Sequence, residues 1–152
     1  VGLAVGAGDH AAARRAGLTS LALGAAVMAT SAAVFVVAAE PLASLFTDRT
    51  EVILAAIPLV QIAAVFQLSD GAQAVAAGAL RGAGDTRAAF VANVFGHYLL
   101  GLPVALVLAF AFDQGAPGLW WGLSAGLTGT AAALIARFVW LTARPIARAQ
   151  RP

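Results

Sequence analysis

Long stretches without a charged side chain alternate with short polar connections along this sequence. Residues 16–39, 88–112 and 114–136 contain no Asp, Glu, Lys or Arg, and residues 52–80 contain a single such residue, Asp70. A helix needs about 20 mainly apolar residues to cross the hydrocarbon core of a bilayer, where it satisfies its own backbone. The pattern therefore predicts an all-α membrane protein with four transmembrane helices. We expect these helices near residues 17–39, 52–79, 89–112 and 118–142.

The connections between the predicted helices are short and rich in turn residues. Gly6-Ala7-Gly8-Asp9 offers a glycine that ends one helix and an aspartate that caps the next. Gly82-Ala83-Gly84-Asp85 repeats this arrangement. Arginine follows both segments, which indicates two helical hairpins that turn on the same side of the membrane. The apolar residues before Gly6 predict the end of a fifth helix, so we expect these 152 residues to be a fragment of a longer protein.

Arginine is concentrated on one side of the predicted membrane segment. That side holds seven arginines, with Arg137 just inside the last helix, whereas the other side holds Arg49. The seven are Arg14, Arg15, Arg81, Arg87, Arg144, Arg148 and Arg151. Because positive charge accumulates on the cytoplasmic side of membrane proteins, we expect this side, including the tail at 143–152, to be cytoplasmic. A nucleic-acid-binding protein would instead gather its arginines on one exposed face, so nucleic acid is not an expected partner.

The composition strengthens the membrane interpretation. Hydrophobic residues make up 61% of the chain and charged residues 11%, whereas soluble domains average about 25% charged residues. These values exclude a disordered region and an ordinary soluble enzyme, and the absence of cysteine excludes a disulfide scaffold. With two histidines, the sequence offers no metal-ligating cluster and no Ser-His-Asp arrangement. We therefore expect no catalytic residue, no cofactor and no enzymatic activity.

Asp70 is the charged residue nearest the middle of a predicted helix. It lies roughly 14 Å from the cytoplasmic end of the second helix at 1.5 Å per residue. An aspartate at that depth costs about 2.5–3.5 kcal/mol on insertion scales, so it is expected to face a bundle interior or a wet cavity. Gln67 and Gln73 lie within about 60° on either side, which makes one polar stripe. The carboxylate is a candidate proton or Na⁺ site; the alternative is a structural carboxyl that bonds a neighbouring helix.

Asn93 and His97 form a second polar pair, in the third predicted helix. Their spacing of four residues places them on one helix face, and we take both as candidates to line a cavity. Histidine titrates near neutral pH and can relay a proton. It serves equally well as a hydrogen-bond partner between helices. The residues alone leave these two functions open.

Proline and glycine predict the shape of the last three helices. Pro58 and Pro103 lie inside helices and each removes a backbone hydrogen bond, which predicts a kink that serves as a hinge or as a static bend. Gly118, Gly122 and Gly126 recur every four residues in the fourth helix. Such a stripe of small residues lets two membrane helices approach closely, so we expect it to be a packing surface.

Several of these residues belong to longer runs that resemble one family, the MATE (multidrug and toxic compound extrusion) transporters. The runs are Phe66-Gln67-Leu68-Ser69-Asp70-Gly71-Ala72-Gln73 and Gly78-Ala79-Leu80-Arg81-Gly82-Ala83-Gly84-Asp85-Thr86-Arg87. Asn93 followed by Gly101-Leu102-Pro103 is similar to the next family element. Upstream, Val1-Gly2, Gly6-Ala7-Gly8-Asp9 and Ala13-Arg14-Arg15 are similar too, so the resemblance extends over nearly the whole chain.

The resemblance implies a twelve-helix, two-lobed antiporter with cytoplasmic termini. Residues 1–152 would be a fragment of its C-terminal lobe, covering the end of the eighth helix and helices nine to twelve. The family exports organic, often cationic, compounds in exchange for Na⁺ or H⁺. Asp70 matches an acidic position of the tenth helix that contributes to a cation site in one branch, which makes it a possible Na⁺ ligand. The partner carboxylate of that branch and the proton site of other branches lie outside this chain, and the resemblance implies no role for His97.

The leading hypothesis is a cation-coupled multidrug efflux antiporter that works by alternating access in the bacterial inner membrane. Its partners would be drug-like small molecules, the lipid bilayer and the missing N-terminal part of the same transporter, with H⁺ or Na⁺ as coupling ion. One alternative is a lipid-linked glycan flippase of the same broader superfamily. Another is a non-transporting membrane scaffold, in which Asp70 and the glycine stripe serve assembly alone. A membrane enzyme lacks catalytic groups and ranks below these.

Overall fold

The computed structural model of the chain describes residues 1–143, and this part consists of helices and turns without a strand. The remainder of the predicted tail 143–152, with Arg144, Arg148 and Arg151, lies outside the described residues. We name the four long helices the first to fourth spans. They are His10–Val37, Thr50–Gly82, Thr86–Ala111 and Gly115–Thr142. Two short helices, Gly2–Gly6 and Ala39–Ser44, precede and follow the first span.

All four spans are long and apolar enough to cross a membrane, which confirms the predicted all-α membrane fold. Each span begins two to seven residues earlier than the sequence predicts. In the first and third spans the reason is that arginines taken as boundaries lie inside the helices. Arg14 and Arg15 belong to the first span, and Arg87 belongs to the third. A basic side chain at the membrane interface can extend its charge into water while its backbone stays helical. The helix Ala39–Ser44 was not predicted and occupies part of the expected turn between the first two spans.

The two Gly-Ala-Gly-Asp segments form the turns that the sequence predicts. Gly8 and Gly84 have φ angles of 77° and 86°, a left-handed conformation that glycine adopts without a steric penalty. In each turn the aspartate after the glycine caps a span. Oδ1 of Asp9 accepts the backbone N–H of Ala12 at 2.8 Å, and Oδ1 of Asp85 accepts that of Ala88 at 3.2 Å. The repeated sequence therefore encodes two similar connections between helices.

The third span departs from regular α-helix on both sides of Pro103. Phe95–Gly101 and Val107–Ala111 are π-helical turns, separated by the α-helical segment Leu102–Leu106. A π turn accommodates one additional residue per turn and is frequent at functional sites. Pro58, in contrast, lies within the second span, which is assigned as α-helix throughout. The sequence predicted an irregularity at each proline, but not its π-helical form at Pro103.

The glycine stripe of the fourth span packs against the third span. Gly118, Gly122 and Gly126 are buried. A Cβ added at Gly126 would lie 2.6 Å from Cα of Gly101, and one added at Gly122 would overlap the backbone of Ala105. The two backbones therefore touch, as the packing interpretation of the stripe predicted.

A second cluster joins all four spans near the side that the arginines mark. Leu80, Leu134 and Phe138 are fully buried there. The ring of Phe138 occupies the position that a side chain at residue 17 would fill, so Gly17 of the first span allows this close contact. This cluster and the glycine interface hold the four spans together in one bundle.

Candidate functional site

The second span carries the polar stripe, and its three members meet different surroundings. Asp70 is exposed, and within residues 1–143 no hydrogen bond or ion pair reaches its carboxylate. Gln67 and Gln73 are partly buried and bond to two different spans. The predicted stripe is therefore a carboxylate between two anchored amides.

Gln67 connects the second span to the first. Its Oε1 accepts a hydrogen bond of 3.0 Å from the hydroxyl of Ser31. Its Nε2 is buried and, among the described residues, has no acceptor. One half of this amide is thus engaged between helices, while the other half offers a free donor.

Gln73 connects the second span to the third. Its Nε2 donates to Oδ1 of Asn93, whose own Nδ2 donates to the carbonyl oxygen of Ala89 at 2.7 Å. The Oε1 of Gln73 is buried, and no donor reaches it within the described chain. Asn93, a predicted cavity residue, is therefore the partner that orients Gln73.

The positions of the two glutamines determine where Asp70 points. At 100° per residue, Asp70 lies on the helix circumference between Gln67 and Gln73. Since Gln67 contacts the first span and Gln73 contacts the third, the carboxylate faces the gap between those two spans. An exposed carboxylate at the middle of an apolar helix is available to a cation or to a helix from another part of the protein.

His97 lies one helical turn beyond Asn93 and bonds within its own helix. Its Nδ1 is 3.0 Å from the carbonyl oxygen of Asn93. In the part of the chain that the structure describes, the ring makes no hydrogen bond to another span. It lines a cavity of about 310 Å³ together with Phe90, Asn93, Val94 and Tyr98. His97 is thus placed at a cavity, next to the π-helical turn of the third span.

Sequence reasoning did not identify the hydroxyl groups that complete the contacts of this region. Thr128 donates to the carbonyl oxygen of Ser124 at 2.7 Å, so its oxygen is free to accept from the hydroxyl of Ser69, also at 2.7 Å. This bond connects the second and fourth spans next to Asp70. Serine and threonine inside an apolar stretch were a usable signal, because their hydroxyls bond between membrane helices.

An ion pair that the sequence did not predict joins two elements at the arginine-rich end of the bundle. Nε of Arg137 donates to Oδ2 of Asp85 at 2.7 Å, and the guanidinium lies 4.8 Å from the ring centroid of Trp140. Asp85 thereby binds the fourth span with one oxygen and caps the third with the other. Arg137, which we had interpreted as a topology signal, also joins the second turn to the last span.

The described residues contain no group of three His, Asp or Glu side chains that could hold a metal ion. Asp70 contributes a single carboxylate at this position. The second span therefore carries an exposed negative charge, a free amide donor and a free amide acceptor within about two helical turns.

Comparisons with known proteins identify the relatives of this chain. The family model described as MatE matches residues 1–107. The Multidrug resistance protein NorM of Burkholderia vietnamiensis is 45% identical over 144 residues, which cover 91% of this chain and 31% of that protein. The Probable multidrug resistance protein NorM of Pseudomonas aeruginosa is 42% identical, over 98% of this chain and 32% of that protein. The chain thus spans about one third of the length of these curated relatives.

A solved structure shows the same helix arrangement. The crystal structure of the eukaryotic MATE transporter AtDTX14 superposes with a TM-score of 0.83 at 27% sequence identity, over 90% of this chain and 30% of that chain. The family model covers more than half of the chain, and the two bacterial relatives align with more than nine-tenths of it. The chain therefore belongs to the MatE family, the multidrug and toxic compound extrusion transporters.

Proposed function

We propose that this chain forms the C-terminal part of a cation-coupled multidrug efflux antiporter of the bacterial inner membrane. Its relatives are named multidrug resistance proteins, and the family membership supports a membrane transport function rather than an enzymatic one. The observation that carries the proposal is the exposed carboxylate of Asp70 at the middle of the second span, between two anchored glutamines.

The proposed mechanism is exchange at Asp70 during alternating access. When the site faces outward, the carboxylate binds the coupling ion, H⁺ or Na⁺, which neutralises its charge. When the site faces inward, an organic cation binds in place of the ion and is carried outward. Because one carboxylate cannot neutralise both cations at once, the two compete, and this competition couples their movements. The first and third spans form the walls on either side of this site.

The coupling ion is H⁺ or Na⁺, and Asp70 is the residue that we propose to hold it. A proton requires the carboxylate alone. For Na⁺, Asp70 would supply one ligand, and further oxygen ligands would come from outside residues 1–143. The missing N-terminal part, which we propose packs against the Asp70 face, would supply the opposite wall and these ligands. No other cofactor is part of the mechanism.

The orientation in the proposal follows the distribution of arginine. The turn that contains Asp85 and the end of the fourth span lie on the arginine-rich side, which we place in the cytoplasm with the C-terminus. A lipid-linked glycan flippase would need free cationic side chains within the membrane to bind phosphate groups. Arg137, the arginine that lies within the fourth span, is instead bound to Asp85 and stacked on Trp140. Arg137 is therefore engaged by its own chain, which supports the antiporter proposal over the flippase for this part of the protein.

Drug efflux from membrane vesicles that contain the full-length transporter tests the proposal. Na⁺ and pH gradients are imposed separately, and Asp70→Asn is compared with wild type. We expect the variant to lose coupled efflux by at least about 100-fold, because the exchanged charge is absent. Glu51→Gln is the matched control: it removes an exposed carboxylate from the first turn of the same span and should retain activity.

The outcomes of this experiment are distinct. Asp70→Asn vesicles that keep wild-type efflux under both gradients would show that the carboxylate is structural. Wild-type vesicles that carry no drug under either gradient would contradict the antiporter and favour a flippase or a scaffold.

A further inference from the structure

The two glutamines beside Asp70 differ in what they leave unbonded. Both lie three residues from Asp70 on the second span, and both use one half of the amide to bond a neighbouring span. The buried atom that remains free is a donor, Nε2, in Gln67 and an acceptor, Oε1, in Gln73. The two glutamines are therefore placed symmetrically about Asp70 in the sequence, but one leaves a hydrogen-bond donor free and the other an acceptor.

The orientation of Gln73 is determined by its neighbours. Nδ2 of Asn93 donates to the carbonyl oxygen of Ala89, which leaves Oδ1 of Asn93 facing Gln73. A carbonyl oxygen only accepts hydrogen bonds, so Gln73 must present its NH₂ group there. Its own Oε1 consequently points away from Asn93 and stays without a donor among the described residues.

Gln73 and Asp70 thus carry acceptors without a donor at neighbouring positions of the second span, the oxygen of Gln73 buried and the carboxylate exposed. Residues three apart on a helix are neighbours on its surface. An ionised carboxylate and an amide oxygen cannot bond each other, since neither carries a hydrogen. A buried acceptor without a donor is unfavourable, so this pair calls for a ligand that brings N–H or O–H groups and a positive charge. A protonated amine has both properties.

We propose that Gln73 is a specificity-determining residue that accepts a hydrogen bond from the N–H of protonated amines in the transported cargo. Asp70 neutralises the charge of any organic cation, whereas Oε1 of Gln73 accepts a hydrogen bond only from cations that carry an N–H group. A quaternary ammonium ion has the charge but no N–H, so it gains the attraction of Asp70 alone. This inference rests on the proposed function, because it requires that Asp70 faces the cargo.

Gln67 provides the matched control. It has the same side chain, the same distance in sequence from Asp70 and the same kind of bond to a neighbouring span. Its free atom is an N–H donor, which cannot accept a bond from an ammonium group. Replacing either glutamine by methionine keeps the length and approximate volume of the side chain but removes the amide.

The experiment measures transport of a matched pair of cargoes by the full-length transporter in vesicles. The pair is a protonated primary amine, whose three N–H groups can bond Asp70 and Gln73 together, and its N-trimethylated quaternary counterpart, which share one ring system. The quantity compared is the ratio of their transport efficiencies at a pH at which the amine is protonated. We expect wild type to prefer the amine. Gln73→Met should lower this preference about tenfold, which is the order of effect of one hydrogen bond to a charged donor. Gln67→Met should change it less than about twofold.

Ser69→Ala separates recognition from packing. This variant breaks the bond between the second and fourth spans next to Asp70 but leaves Asn93 and the orientation of Gln73 unchanged, so the amine preference should persist even if overall transport falls. An unchanged preference in Gln73→Met would overturn the inference, and so would an equal loss in Ser69→Ala or in Gln67→Met. The proposed function fails separately, when Asp70→Asn transports both cargoes like wild type.

Discussion

The interface between the third and fourth spans and the face that carries Asp70 are built from opposite kinds of side chain. At the interface, Gly122 and Gly126 bring two backbones into direct contact with Ala105 and Gly101. Around Asp70, long amide side chains cross between the helices instead. Within the described residues, 44% of an apolar 18-residue stretch of the fourth span is buried, against 11% for the second span.

The difference shows which part of the bundle is complete by itself. Glycine contacts leave no room for another group between the two backbones, so we take the third and fourth spans as a rigid pair. The amide contacts leave free polar atoms and an exposed carboxylate, which are complete only with a ligand or another helix. A transporter needs both: a frame that keeps its shape, and a face whose partners can be exchanged.

The sharpest test of the rigid pair is Gly122→Ala. The added Cβ would overlap backbone atoms of Ala105, so a helix has to move rather than a side chain. We expect the free energy of unfolding to fall by at least about 3 kcal/mol, the upper end of the usual cost of overpacking. Unfolding of the purified full-length protein in detergent measures this loss.

Gly78→Ala is the control for that variant. Gly78 is exposed on the second span, and an added Cβ would come no closer than 4.0 Å to the guanidinium of Arg81. The substitution should be neutral or stabilise the helix by up to about 1 kcal/mol. Equal destabilisation by both variants would mean that the glycine interface is not the rigid part.

The connection between the two regions is tested at Asp85, which joins the turn before the third span to Arg137 of the fourth. Asp85→Ala removes a helix cap and an ion pair, whereas Arg137→Gln removes the pair and the contact of the guanidinium with Trp140 but leaves the cap. We expect losses of about 1–3 kcal/mol for Asp85→Ala and about 1 kcal/mol or less for Arg137→Gln, since Arg137 is 43% exposed and solvent screens the pair. Asp9→Ala, which removes a cap alone, should fall between them.

A double-mutant cycle isolates the ion pair. The coupling energy between Asp85→Ala and Arg137→Gln, measured by the same unfolding experiment, should be about 0.3–1 kcal/mol. A coupling near zero, together with equal losses in Asp85→Ala and Asp9→Ala, would show that the turn is capped but not bound to the fourth span.

The sequence predicted the rigid part of the molecule better than the polar part. Uncharged stretches and glycine spacing are local patterns, so the four spans, the two capped turns and the packing stripe followed directly from them. The contacts of Gln67, Gln73 and Arg137 join residues 20 to 52 positions apart, and helix periodicity does not say which helices are neighbours. Helix periodicity predicts that Asp70 lies between Gln67 and Gln73 on the helix surface. The bonds of these glutamines to Ser31 and Asn93 are needed to show that Asp70 faces the gap between the first and third spans.

The smallest expected effects separate the hydroxyl contacts of the polar face. Ser31→Ala removes the bond to Gln67, and Ser69→Ala removes the bond to Thr128. Each should lower the free energy of unfolding by about 0.6 kcal/mol, the average for a hydrogen bond between membrane helices and several-fold less than the loss expected for Gly122→Ala. Ser31→Ala also frees both polar ends of Gln67, whereas Ser69→Ala leaves the amides as they are. A loss in either serine variant as large as that of Gly122→Ala would contradict the division between a rigid pair and an adjustable face, because a single exchangeable bond would then hold the bundle as firmly as the backbone contact.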